Sequence, residues 1–215
     1  MTILKNNCKV IFENDDFMVV DKAYGVLSQS NRSFDLDLVS MVRSATKKKD
    51  VTPINRLDRN VAGLIVLALN KNAAARLNKD MIDHGWDKTY VLACQSEDAD
   101  KLDIKGHMQD QMDFDKKNNL SFVCKNKTKT SKNAELDYEK LYSDKDVTFF
   151  RVHLKTGRHH QIRLQFASRS CPLIGDGKYG SKIKASNIAL YSTALTVLGQ
   201  EFEVNPKFQG LEFKL

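Results

Sequence analysis

No apolar run in the 215 residues approaches the roughly 20 that a membrane-spanning helix needs, so no span is expected. Nothing at the N-terminus resembles a signal peptide, because Met1 to Leu4 is followed at once by Lys5, Asn6 and Asn7. A soluble, cytoplasmic protein is the expectation. The four cysteines, Cys8, Cys94, Cys124 and Cys171, lie far apart and form no Cys-x-x-Cys pair. Metal-ligand spacing is therefore absent, and the thiols read as buried and reduced. There is no internal repeat and no low-complexity tract. What is present is a chain long enough to bury a core as one domain, residues 1–215. Lys plus Arg number 34 against 27 Asp plus Glu, a formal net charge of +7. That excess favours an anionic partner, most simply nucleic acid, but charge alone decides little.

Two β-rich runs, Lys9 to Glu13 and Phe17 to Asp21, flank Asn14-Asp15-Asp16 and read as a hairpin. Asp35 to Lys48 carries the spacing of an amphipathic helix. Lys47, Lys48 and Lys49 close it, where cations favour the C-terminus, and a solvated helix end is a simpler reading of them than an RNA contact. Leu64 to Leu69 is a short continuous apolar run that predicts a buried strand. Asn70 or Asn72 then caps a helix running to about His84, with Gly85 past its end. Lys88 to Cys94 is another strand. From about Asp98 to Asn133 the pattern weakens, with strand character only at Leu102–Ile104 and Leu120–Val123. Within it, residues 125–133 form a basic polar loop, read equally as a solvated connection or a phosphate-contacting arm. Ala134 to Tyr142 and Val147 to Leu154 predict a hairpin, and Arg158 to about Arg169 a helix. A glycine-rich loop follows at Pro172–Gly180, with final strands at Ile188–Val197, Glu201–Val204 and Leu211–Phe213. Strands joined by short hairpins, without a βαβ rhythm, give an α+β fold with a mixed, mostly antiparallel sheet and flanking helices.

Two stretches carry chemistry. In the first, Asp58 stands between Arg56 and Arg59, just before Gly63 and the buried strand. A carboxylate held among cations is favoured in its ionised form and serves as acceptor, ligand, base or nucleophile. Taken alone, Arg56-Leu57-Asp58 reads more readily as an ordinary surface ion pair. In the second, Lys155 to Arg163, a strand stops at Gly157 and a helix opens with Arg158, His159, His160, Gln161 and Arg163. Arginines in a first helical turn suggest an anion to be met there. Adjacent histidines on a helix diverge and lack the spacing of a helical metal pair, so a structural role for one of them, donating to a backbone carbonyl, is the better reading.

Together these stretches resemble a known family. Arg56-Leu57-Asp58 followed by Gly63-Leu64 resembles the first motif of RNA pseudouridine synthases. Gly157 to Arg163, with Pro172-Leu173-Ile174-Gly175-Asp176 and Tyr179-Gly180, is similar to the third motif of the RluA-type branch. Lys22-Ala23-Tyr24-Gly25-Val26-Leu27 fits that branch's opening segment, and Lys88-Thr89-Tyr90 its second motif. The resemblance is collinear from about Val10 to Phe213. The family's usual His before Arg56 is Asn55 here, its small hydroxyl residues before Gly63 are Val61 and Ala62, its proline after Lys22 is Ala23, and a late His is replaced by Tyr191. These departures leave Asp58, Tyr90 and Arg163 in place and bear on the substrate more than on the activity.

The resemblance implies a catalytic domain with a central RNA-binding cleft that isomerises uridine to pseudouridine in structured RNA, tRNA or ribosomal RNA. It implies no cofactor and no metal. Asp58 would be the nucleophile, at the ribose C1′ or at the base. Arg163 would form its salt bridge, and Tyr90 would stack on the target uracil. Arg56 would fill the gap left by a flipped nucleotide, with Arg158, His160, Gln161 and Leu190 binding the substrate. The segment before Val10 is too short for the small RNA-binding domain of many relatives. RNA is therefore expected to be chosen by this domain alone, with Lys47, Lys48, Lys127, Lys129 and Lys132 on its backbone. A monomer is expected. A non-catalytic RNA-binding protein on the same scaffold is the alternative, disfavoured because a pure binder needs no carboxylate facing RNA.

Overall fold

The structure, a computed structural model, describes residues 4–30, 35–83 and 85–214. In chain order the elements are β1 (Lys9–Glu13), β2 (Phe17–Lys22), α1 (Leu38–Thr46), β3 (Thr52–Pro53), β4 (Ala62–Ala68) and α2 (Lys71–Asp83). There follow β5 (Lys88–Gln95), α3 (Ser96–Ala99), β6 (Lys105–Asp115), β7 (Leu120–Cys124), β8 (Lys132–Asp144), β9 (Val147–Leu154) and α4 (Gln161–Ala167). The last strands are β10 (Leu190–Val197) and β11 (Gln200–Glu203). The described residues divide into two compact units, one running to Asp87 and including Tyr191–Pro206, the other holding Lys88–Leu190 and the residues from Lys207.

In the first unit β1 and β2 form the expected hairpin, and β2 pairs antiparallel with β4. The pleat sends alternate side chains to opposite faces. Met18, Val20, Ile65 and Leu67 meet Leu38, Val39 and Val42 of α1 on one side. Phe17, Val19, Leu64 and Val66 meet Ala73 and Leu77 of α2 on the other. Cover on both faces is why β4 reads as an unbroken apolar run. The first helix is shorter than its periodicity suggests. The Asp37 side chain accepts from Ser40 N at 3.0 Å and caps the helix there, and Lys47 ends it in the left-handed region at φ 61. Asn70, rather than Asn72, caps α2 by accepting from Ala73 N at 2.8 Å; His84 lies outside the described residues. Gly63 pairs with Ser192 in a parallel register. At φ +114 it has no room for a side chain, since a Cβ would sit 2.2 Å from Ser192 O.

The second unit is an antiparallel sheet in the order β5-β9-β8-β6-β7. Here the chain departs from expectation. The weak region contains the 11-residue strand β6, whose buried side chains are only Met108 and Met112. Its other face is a polar ladder against β8: Lys105 opposes Glu139, His107 opposes Asp137 and Gln109 opposes Glu135. Each pair is bonded, at 3.1, 2.7 and 2.8 Å. Cross-strand polar pairs stabilise such a strand without leaving an apolar alternation to read. Leu102–Ile104 is not a strand; Leu102 N donates to Ala99 O in a turn after α3, and Ile104 is exposed. Leu211–Phe213 is irregular, held by Phe213 against Phe149 at 5.3 Å between ring centroids.

The helix expected from Arg158 begins only at Gln161, because His160 takes a left-handed conformation at φ 54. Arg158, His159 and His160 therefore form a turn before the helix rather than its first turn. The helical divergence expected of the two histidines is lost, and their rings stack with centroids 3.7 Å apart.

Candidate active site

In the first unit Asp58 lies half-buried on the loop between β3 and β4. The loop is clamped on both sides of it. Leu57 N donates to Ser28 Oγ at 3.0 Å, and that hydroxyl donates to Leu57 O at 2.8 Å. Gly25 N donates to Arg59 O at 2.8 Å, and Arg59 Nε returns to Gly25 O at 3.0 Å. Asn55, where the family usually has His, ties the loop's start to β4: its amide donates to Leu64 O and accepts from Val66 N. Arg56 is exposed.

Beneath this loop lies a group that motif reading passed over as the end of a strand. Lys22 is fully buried, and its ammonium donates to Val26 O at 2.8 Å and Ala23 O at 3.1 Å. Burial pushes its pKa down to about 8, opposed by the charges of Cys8, Asp58 and Asp21. Asp21 accepts the Tyr191 hydroxyl at 2.6 Å. Burial and that hydrogen bond to the carboxylate push the Tyr191 phenol far up. Tyr191, which departs from the family pattern, thus supplies a donor to a buried acid. A depressed lysine pKa means the unfolded chain binds more protons between about pH 8 and 10.5, so this group's contribution to stability rises with pH across that window. Between pH 7.5 and 9 wild type is expected to gain about 1 kcal/mol relative to Lys22→Met, measured by urea unfolding at each pH. A gap between the two proteins that does not change with pH would contradict the burial of a charged Lys22.

The second unit holds Tyr90, Arg163 and Leu190. Tyr90 is buried on β5, opposite Val152 of β9. Leu190 is buried at the start of β10. Arg163 is buried on α4 and held by Asp176 through two bonds, Nε to Oδ2 at 2.6 Å and Nη2 to Oδ1 at 2.9 Å. The Tyr179 ring lies 5.1 Å from the guanidinium carbon. Asp176 sits on the glycine-rich loop, where Gly175 at φ +81 is obligatory because a Cβ would meet Asn187 O at 2.1 Å. The fork geometry of the pair fixes the guanidinium plane. Gln161 is buried; its carbonyl accepts from Thr156 Oγ and Arg158 N, and its amide donates to Glu135 O and Gln165 Oε1. It shapes the Arg158 turn. The two histidines bond hydroxyls rather than backbone carbonyls at Nδ1: His160 meets Tyr179 Oη and His159 meets Ser121 Oγ, each at 2.9 Å.

The proposed backbone lysines differ among themselves. Lys48 donates to Asp15 O at 2.8 Å, tying the end of α1 to the first hairpin. Lys47, Lys127, Lys129 and Lys132 are exposed. The basic loop is ordered by its own hydroxyls: Thr128 N donates to Ser131 Oγ and Ser131 N to Thr128 Oγ1. Among the described residues there is no group of three or more His, Cys, Asp or Glu arranged to hold a metal, and no helix long and apolar enough to cross a membrane.

Residues 16–168 match the family described as RNA pseudouridylate synthase. The chain belongs to that family. It is of the RluA type: the dual-specificity RNA pseudouridine synthase RluA of Yersinia pestis is 30% identical over 207 residues, covering 90% of this chain and 93% of its own. The ribosomal large subunit pseudouridine synthase C of Rickettsia conorii is 25% identical, covering 96% of this chain and 66% of its own. The solved structure of human RNA Pseudouridylate Synthase Domain Containing 1 superposes with a TM-score of 0.75 over 94% of this chain and 84% of its own, at 20% identity. That likeness shows the fold. As an RNA pseudouridine synthase, the protein is an isomerase that acts on uridine in RNA.

Proposed function

We propose that the protein converts one or a few uridines of structured RNA, tRNA or ribosomal RNA, to pseudouridine with Asp58 as the nucleophile. The reading is carried by the double clamp on the Asp58 loop, which gives its carboxylate a fixed backbone, as an aimed nucleophile requires. In the isomerisation the N1–C1′ bond breaks, the uracil rejoins C1′ through C5, and the C5 proton is lost while N1 gains one. Asp58 attacks C1′ or the base; either route balances. Arg163, its plane set by Asp176, stands at the position of the arginine that the family pattern pairs with the nucleophile. Tyr90 stacks on the uracil, with Leu190 and His160 beside it, and Arg56 fills the space of the flipped nucleotide. Arg158 meets phosphate, and Gln161 acts through the Arg158 turn it holds. The enzyme works in the cytoplasm as a monomer, without cofactor or metal. One relative is named for the ribosomal large subunit, so that RNA is the first substrate to test.

Tritium release from RNA labelled with [5-³H]uridine reads the reaction directly, because only bond formation at C5 expels that hydrogen. Release on gene-deleted cellular RNA is expected; none on any RNA class would remove the proposal. Replacing Lys127, Lys129 and Lys132 together by Met is expected to weaken RNA binding and flatten its salt dependence, by up to about 0.9 in the log–log slope per lost contact. Unchanged affinity and slope would leave the loop a solvated connection.

A further inference from the structure

The second unit contains a cavity of about 780 Å³ between the β6–β7 hairpin, the start of β8 and the turn at Gly157–His159. Asp58, Tyr90 and Arg163 do not line it; Arg158 and Lys132, assigned above to RNA phosphate, do. We propose that this cavity is a second nucleotide subsite, holding a base and phosphate of the substrate RNA other than the uridine that reacts. The inference rests on the RNA-modifying function above and extends it to how the RNA is gripped.

Three features point to a nucleotide. The first is a placed fork. Arg158 Nε donates to Asn133 O at 2.8 Å and its backbone N to Gln161 Oε1 at 3.0 Å, which fixes the side chain at its base. Its terminal amino groups have no protein acceptor among the described residues, and a fixed guanidinium fork suits a phosphate. The second is charge. Lys116 and Lys132 also line the cavity, and neither is ion-paired among the described residues. The two carboxylates present are turned to the protein. Asp113 accepts from Thr130 Oγ1 and Phe114 N; Asp115 caps the hairpin turn through Lys117 N, Asn118 N and Asn118 Nδ2. The third is an aromatic surface. Phe122 lines the cavity from the edge strand β7 with 45% of its surface exposed, and Lys116, Lys132 and Arg158 line the same cavity. Bases of any sequence stack on such rings, and cations beside the ring track the backbone.

The cavity wall is continuous with the group around Arg163. His159 packs between Phe114 at 4.2 Å and His160 at 3.7 Å, and Ser121 Oγ bonds both its Nδ1 and its carbonyl. Ser121 N and His160 Nδ1 in turn reach Tyr179 Oη, whose ring faces Arg163. A nucleotide seated against this wall steadies the loop that carries the partners of Arg163.

The test is fluorescence anisotropy with a labelled uridine octanucleotide, read for wild type, Phe122→Ala and Lys116→Met. Both positions are at the surface, and melting curves check that both variants fold. Phe122→Ala is expected to weaken binding at least fivefold, the lower end of what one base stack contributes. Lys116→Met is expected to lower the log–log salt slope by about 0.7, the single-strand value for one phosphate. Affinities within twofold and an unchanged slope in both folded variants overturn the subsite. Tritium release separates the two ideas. Release by wild type with unaffected octanucleotide binding in the variants overturns the subsite alone. Weakened binding in a protein that releases no tritium overturns the enzymatic reading and supports the subsite.

Discussion

Asp58→Asn is expected to abolish pseudouridine formation, lowering the single-turnover rate at least about 10,000-fold, while RNA affinity stays within about tenfold of wild type. The substitution keeps the size and the planar shape of the side chain but removes the charge and the nucleophilic oxygen pair. The clamp from Ser28 and Gly25 uses backbone atoms of Leu57 and Arg59, so the loop survives the change. Loss of a negative charge also removes repulsion from RNA phosphate, so binding is not expected to suffer. Asp58→Glu separates charge from aim. It retains the carboxylate on a longer stem, and a displacement of about 1 Å at a reacting atom costs on the order of 100-fold. Wild-type turnover by Asp58→Asn would transfer the nucleophile to another residue.

Asp176→Asn is the second large effect. Arg163 and Asp176 are both buried, with side-chain exposures of 7% and 1%. Removing the carboxylate from such a pair takes the charged fork away from a buried guanidinium, at a cost of about 3–5 kcal/mol. For a chain of this length that corresponds to a fall in melting temperature of roughly 10 °C. The paired arginine also loses its fixed plane, so turnover below the melting transition is expected to drop by at least about tenfold. Arg163→Lys is expected to share both losses, since an ammonium cannot take two carboxylate oxygens in a fork. Scanning calorimetry and single-turnover assays on the same preparations measure both effects. A melting temperature within 2 °C of wild type would mean that the pair is not what holds the glycine-rich loop to α4.

What the sequence discloses follows from which interactions are periodic. β2, β4 and the β8–β9 hairpin are legible because buried residues recur every second position in β8 and run continuously in β2 and β4. β6 hides because its partners lie across the ladder on β8, not along its own sequence. The start of α4 hides because it depends on one residue: His160 in the left-handed region makes Arg158 and His159 a turn. The motifs mark Asp58, Tyr90 and Arg163, but no spacing rule shows that Arg163 meets Asp176 or that Tyr191 meets Asp21. Those contacts join residues distant in the chain, and the residue types alone admit many partners. Lys22 shows the same limit from the other side. A lysine at a strand end reads as a surface cation, and only three-dimensional packing places it at zero exposure.

Pseudouridine formation by this chain depends, in the proposed mechanism, on Asp58. The most direct test maps pseudouridine at single-nucleotide resolution in total RNA from gene-deleted cells that carry the wild type, Asp58→Asn or no copy. One or a few uridines are expected to lose their modification on deletion, regain it with wild type and stay unmodified with Asp58→Asn at equal protein level. Restoration by Asp58→Asn would contradict that dependence.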